Sequence, residues 1–248
     1  MPRHKGSFIW YELMTTDPKA AADFYGSVVG WRAQPYEGGE YTILNAGDRG
    51  VAGVMATPPG MGTFWIGYVG VDDVDAACRD LVAEGGKVQK EAWDIPNVGR
   101  MAAVSDPQGA GFMLMTPQGQ DDGQRPDMGT PGYIGWHELH TTDWEKAFAF
   151  YSGQYGWAKG EAMNMGEMGT YQLITDNGEQ VGAMFNSPHV PHPAWMFYFN
   201  VASIDAAIEK IKAGGGQVLM GPHQVPGGQW IVNGQDPQGA MFALVGGQ

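Results

Sequence analysis

Bulky and β-branched residues gather in short runs along the chain, and polar caps and helical stripes separate them. FIWYELMTT, residues 8–16, reads as a strand. Asp17 and Pro18 then supply an N-cap and a first helical position, Ala21, Phe24, Tyr25 and Val28 fall on one helical face, and Gly30 ends the helix. WIGYVGV at 65–71 followed by DDVDAACRDLVAEGG at 72–86 repeats the plan, with Val74, Ala77, Cys78 and Leu81 as the apolar stripe. Short strand candidates follow each helix: YTILNA and GVAGVMA after the first, KVQKEA, GRMAAVS and GFMLMT after the second. The predicted unit is strand, helix and about three strands, and four such units fill the chain as an α+β fold.

The pattern is also written twice on a larger scale. Trp10, Glu12, Asp17 and Phe24-Tyr25 recur as Trp136, Glu138, Asp143 and Phe150-Tyr151. Further on Tyr41, Trp65 and the DPQGA turn at 106 recur as Tyr171, Trp195 and DPQGA at 236, after a short insertion following Trp157. A register held over the whole chain indicates tandem copies of one domain, not a solenoid of short repeats. Between the copies TPQGQDDGQRPDMGTPG is polar and rich in Pro and Gly. The expected organisation is a first domain at 1–118, a linker at 119–131 and a second domain at 132–248.

Composition narrows the function classes. A hydrophobic share of 43% suits a globular protein with a real core, and no apolar run approaches the roughly 18 residues that span a bilayer. The opening MPRHKGSFIWYEL has no apolar signal region, so a soluble, cytoplasmic protein is expected. One cysteine, Cys78, forms no internal disulfide, and its place in the helical stripe marks it as a packing residue. A net charge of -13 without a basic cluster argues against nucleic acid as a partner. No membrane partner is expected, a small molecule is, and homodimerisation is left open.

Four βαβββ units, with TTDPKAAADFYGSVVGW early in a unit pair and DPQG before its last strand, resemble the vicinal oxygen chelate superfamily of glyoxalases, bleomycin-resistance proteins and dioxygenases. The likeness runs from about Phe8 to Val245 and is greatest to the two-domain, hydroxylase-like branch. It implies tandem glyoxalase-like domains, two half-open barrels with helices outside, and a ligand in each cup. It also implies metal ligands at four strand positions, which fall here on Trp10 and Trp136, on 53–55 and 183–185, on Ile66 and Met196, and on Met113 and Ala243. None of these is a usual ligand for a divalent ion, so no metal cofactor is expected.

Strand alternation places Trp10, Glu12 and Met14 on one face of the first strand, and Trp136, Glu138 and His140 on its counterpart. With Ile66, Tyr68, Met113 and Met101 they line the expected first cup; with Met196, Tyr198, Asn200 and Met241, the second. Aromatic faces and thioethers suit a flat apolar or aromatic ligand. Glu12 and Glu138 are the candidate catalytic residues, because a carboxyl in an apolar cup is a general acid or base in waiting. An architectural role for both is the competing reading. Whether the protein sequesters its ligand or acts on it as an enzyme is left open, with metal-independent lyase-like or hydroxylase-like acid/base chemistry as the form it takes if it is an enzyme. A displaced metal site built on Glu138 and His140 is the alternative, and His189 with His192 a lesser one. Asp17 and Asp143 read as helix caps, Asp106 and Asp236 as turn residues.

Overall fold

The structure, a computed structural model, describes residues 5–37, 39–119, 126–187 and 191–248. His4 and His189 lie outside the described residues. Each half of the chain builds one eight-stranded sheet. The first has the order β2-β3-β4-β1-β5-β8-β7-β6, from β1 (Phe8–Thr15), β2 (Arg32–Pro35), β3 (Tyr41–Ala46), β4 (Arg49–Ala56), β5 (Phe64–Gly70), β6 (Lys87–Ile95), β7 (Gly99–Ser105) and β8 (Gly111–Pro117). The second repeats that order with β9 (Ile134–Thr141), β10 (Ala158–Asn164), β11 (Thr170–Asp176), β12 (Glu179–Asn186), β13 (Ala194–Val201), β14 (Gln217–Gln224), β15 (Trp230–Gln235) and β16 (Met241–Gly246). Four helices complete this tandem α+β fold: α1 (Pro18–Val29), α2 (Val74–Ala83), α3 (Trp144–Tyr155) and α4 (Ile204–Ala213). Among the described residues no helix is long and apolar enough to cross a membrane.

The helices start and stop where side-chain chemistry dictates. The carboxylates of Asp17, Asp73 and Asp143 accept the N–H of the third residue on, and Ser203 does the same for α4. Gly30 and Gly156 close α1 and α3 at φ 90° and 78°, a left-handed conformation open to glycine at little cost.

Packing divides the chain into two compact units, and neither coincides with a sequence half. One comprises Met1–Trp10, Gly67–Arg125 and His137–Trp195; the other Tyr11–Ile66, Pro126–Trp136 and Met196–Gln248. Each unit therefore takes one helix from each half, α2 with α3 in the former and α1 with α4 in the latter.

The duplicated motifs hold these units together internally. In the second unit Tyr25 donates to Asp236 Oδ2 at 3.0 Å and accepts from Trp65 Nε1 at 2.9 Å. In the first, Tyr151 donates to Asp106 Oδ2 at 3.3 Å and accepts from Trp195 Nε1 at 3.0 Å. The other oxygen of each Asp accepts two N–H groups of its own turn, from Gln108 and Ala110 or from Gln238 and Ala240. The Trp that follows each helix acts likewise: Trp31 Nε1 donates to Gly132 O at 2.6 Å, and Trp157 Nε1 to Gly6 O at 2.7 Å. Of the buried rings, Tyr25 meets Trp65, Phe199 and Phe242 edge-on, and Tyr151 stacks on Trp157. Asp106 and Asp236 are thus more than turn formers: they terminate hydrogen-bond chains in the core.

Candidate functional site

The most developed polar constellation lies in the first unit on β9, β11 and β12. Alternation along β9 sets Glu138 and His140 on one face. Glu138 is 7% exposed, and both its oxygens are engaged: Oε1 accepts the Tyr171 hydroxyl at 2.6 Å, and Oε2 lies 3.0 Å from His140 Nε2. The second ring nitrogen of His140, Nδ1, is 3.4 Å from Ser187 Oγ. The Phe185 ring meets the imidazole edge-on, centroids 4.6 Å apart.

Strand register explains why these residues meet. Met163 pairs with Tyr171, Tyr171 with Phe185, and Phe185 with His140, so one row crosses four strands from β10 to β9. Glu138 stands in the row two residues back, opposite Ala183, within reach of the long Tyr171 side chain. A buried carboxylate is tolerated only when hydrogen-bonded, and here a phenol and an imidazole meet that requirement.

In the other unit the same rows carry different chemistry. Tyr41 pairs with Met55 and Met55 with Met14, while Glu12 stands opposite Gly53. The Tyr41 ring lies directly over Gly53, where an added Cβ falls 1.8 Å from its hydroxyl oxygen. Glu12 is also buried, at 5% exposed. Met14 stands where His140 does, so no imidazole adjoins this carboxylate along the strand.

The remaining expected site residues divide between walls. Trp136 and Met196 pack on a cluster of Tyr198, Ala243 and Val245, with Ile231 alongside. Asn200 is buried, and its amide donates to Met128 O at 2.6 Å, which ties it to the segment before β9. In the first half Tyr68 pairs with Met113, both are buried with Met101, and Trp10 and Ile66 are half-buried. Met241 is exposed at the entry to β16. Tyr171, Phe185 and Ser187 were not singled out from the sequence, although the Tyr41/Tyr171 repeat was the available signal for the first.

A family model, the Glyoxalase/Bleomycin resistance protein/Dioxygenase superfamily, matches residues 7–114 and 133–244. The chain belongs to this superfamily. A relative named "Putative glyoxylase CFP32" from Mycobacterium tuberculosis is 34% identical over 97% of this chain and 95% of its own length. The "Anthracycline biosynthesis protein DnrV" of Streptomyces peucetius is 30% identical over 97% and 93%. Among solved structures, the Mn(II)-bound glyoxalase from Novosphingobium aromaticivorans superposes with a TM-score of 0.69 at 17% identity, covering 98% of this chain and 82% of that one. The 2,2',3-trihydroxybiphenyl 1,2-dioxygenase of Sphingomonas wittichii RW1 gives 0.69 at 14% identity, covering 97% and 89%. These likenesses carry the fold.

Superfamily relatives such as that glyoxalase hold a metal, and the donor set here does not fit one. The strand positions in question carry Trp10 and Trp136, Gly-Val-Met at 53–55 and Ala-Met-Phe at 183–185, Ile66 and Met196, and Met113 and Ala243, with Glu12 opposite Gly53, Tyr68 opposite Met113 and Tyr198 opposite Ala243. Among the described residues no three His, Cys, Asp or Glu side chains are grouped to hold an ion. Glu138 and His140 are two donors, where an oxygen and nitrogen site needs three or four.

Proposed function

We propose that this superfamily member binds a small, largely apolar or aromatic molecule in its second half, and that Glu138 exchanges a proton with it without a metal at the superfamily positions. The observation that carries this reading is the Glu138 carboxylate held between the Tyr171 hydroxyl and the His140 imidazole. Such a carboxylate is fixed in place, shielded from bulk water and linked to a second proton carrier, the arrangement a general base requires. The imidazole can relay the proton onward, since its other nitrogen faces Ser187. Glu12 lacks an imidazole neighbour on its strand face, so its half is assigned to binding or to architecture. The names of the Streptomyces relatives refer to anthracycline biosynthesis, and anthracyclines are fused-ring aromatic compounds, which supports an aromatic ligand.

The test uses 2-naphthol with the protein in saturating excess, so that naphtholate emission comes from the bound molecule and reports a proton acceptor at its hydroxyl. Wild-type protein should bind it and yield naphtholate emission, Glu138→Gln should suppress that emission, and Glu12→Gln should leave it in place. Absence of binding to the wild type, or emission that survives Glu138→Gln, overturns the reading.

A further inference from the structure

The apolar wall of the second unit contains one polar atom that its surroundings leave unsatisfied. Asn233 Oδ1 is buried and has no hydrogen-bond partner among the described residues. Native proteins rarely leave a buried acceptor unpaired, because desolvating it costs about 1–3 kcal/mol. Tyr155 Oη and Gln238 Oε1 are the other such atoms among the described residues. The Tyr155 ring packs against Phe112, Tyr151 and Trp157, and Gln238 belongs to the DPQGA turn.

Register gives Asn233 a different setting. It pairs with Ala243, and Ala243 pairs with Tyr198, so all three side chains share one sheet face. That face is the wall built from Tyr198, Ala243 and Val245 with Trp136, Met196 and Ile231. On the opposite face an added Cβ at Gly234 falls 2.8 Å from the Phe242 ring, which confirms the alternation.

The first half closes the equivalent place with bulk. There Lys90 pairs with Ala103, Ala103 with Met113, and Met113 with Tyr68. Met113 and Met101 are 2% and 3% exposed. In the second half Met113 becomes Ala243, which lacks the whole thioether arm, Met101 becomes Ile231, and Ala103 becomes Asn233. The change from Met113 to Ala243 removes side-chain volume, and the change from Ala103 to Asn233 adds an acceptor in the same row.

We infer that Asn233 Oδ1 is the recognition point of a ligand subsite in the second unit, which takes a planar aromatic ring bearing a hydrogen-bond donor, a hydroxyl or N–H, against Trp136, Met196, Tyr198 and Ala243. This rests on the reading that the second half takes a small aromatic molecule, and it gives that molecule a hydrogen-bond donor.

Calorimetry with 2,6-dihydroxynaphthalene and 6-methoxy-2-naphthol tests it, because the second oxygen carries a hydrogen in one and a methyl in the other. The diol should bind wild-type protein about tenfold more tightly, the worth of one hydrogen bond to a buried acceptor. Asn233→Leu, which keeps the branched shape and removes the acceptor, should bring the two affinities together. Ala243→Met, which restores the bulk of the first half, should weaken both. Equal affinities in the wild type, or a preference that survives Asn233→Leu, overturns the subsite and leaves the role of Glu138 standing. Binding of neither compound to the wild type overturns both. A Glu138→Gln variant that loses naphtholate emission yet keeps the diol preference supports the two assignments separately.

Discussion

Tyr25 and Asp236 are 211 positions apart in sequence, and the Tyr25 hydroxyl donates to the Asp236 carboxylate at 3.0 Å. The same bond joins Tyr151 to Asp106 in the other unit. Each hydroxyl also accepts an indole N–H, and burial pushes both phenols well above their ordinary pKa, so they remain donors.

Tyr25→Phe should therefore strand two buried partners, the Asp236 oxygen and the Trp65 indole. A loss of about 1–3 kcal/mol is expected. Urea unfolding of Tyr25→Phe and Tyr151→Phe checks it, and an unchanged midpoint with an unchanged slope would refute the role given to the hydroxyls.

The two carboxyls should leave a signature in the pH dependence of stability. Desolvation holds Asp106 and Asp236 above the ordinary carboxylate value, against the opposing pull of backbone N–H groups and the Tyr hydroxyls. A carboxyl raised on folding binds its proton more tightly in the native state. Its contribution is fully present below the unfolded value of about 3.9 and is lost as pH rises through the raised native value. Relative to an Asp106→Asn, Asp236→Asn double variant, the wild type should lose stability as pH rises from about 4 into that window. A difference that instead grows with pH contradicts the assignment.

Gly6 accepts the Trp157 indole bond at φ 86°, and a Cβ there meets the Tyr155 carbonyl oxygen at 2.3 Å. Gly47 has a φ of 60° with nothing within 4 Å. Gly6→Ala should thus lower the melting temperature clearly more than Gly47→Ala, the second variant measuring the conformational strain alone. Equal shifts would show that the close approach is relieved by local movement.

Chelation should leave the fold untouched. Because the superfamily metal positions carry none of the usual ligands for a divalent ion, dialysis against EDTA is expected to leave the melting temperature unchanged, whereas a native-state metal would make it fall. Metal analysis of protein purified without chelator provides the independent reading.

The parts of this architecture that could be read from the chain are those where one side chain decides a local structure. Asp17, Asp143, Gly30 and Gly156 mark helix ends by their own chemistry, and the period-two faces of β1 and β9 place Glu12 and Glu138 before any contact is known. β2 escaped individual recognition because RAQP is exposed throughout and contains a proline, as an edge strand tolerates. Tyr171 and Asn233 escaped for another reason: their importance depends on which strand lies beside which. Register is a tertiary property, and the repeat gives correspondence between halves but not adjacency across a sheet. The exchange of partners between halves was hidden for the same cause, since an internal repeat looks alike whether its copies pack with themselves or with each other.

That exchange bears on what the linker does. Tyr25 precedes the linker and Asp236 follows it, as Trp31 does relative to Gly132, and the reverse pairs Tyr151 with Asp106 and Trp157 with Gly6. Cut at the linker into two half-length chains, the protein would have to make every one of these bonds from one chain to the other. Joined in one chain, the two copies need not be identical, and His140 at the position equivalent to Met14 is where they differ in chemistry.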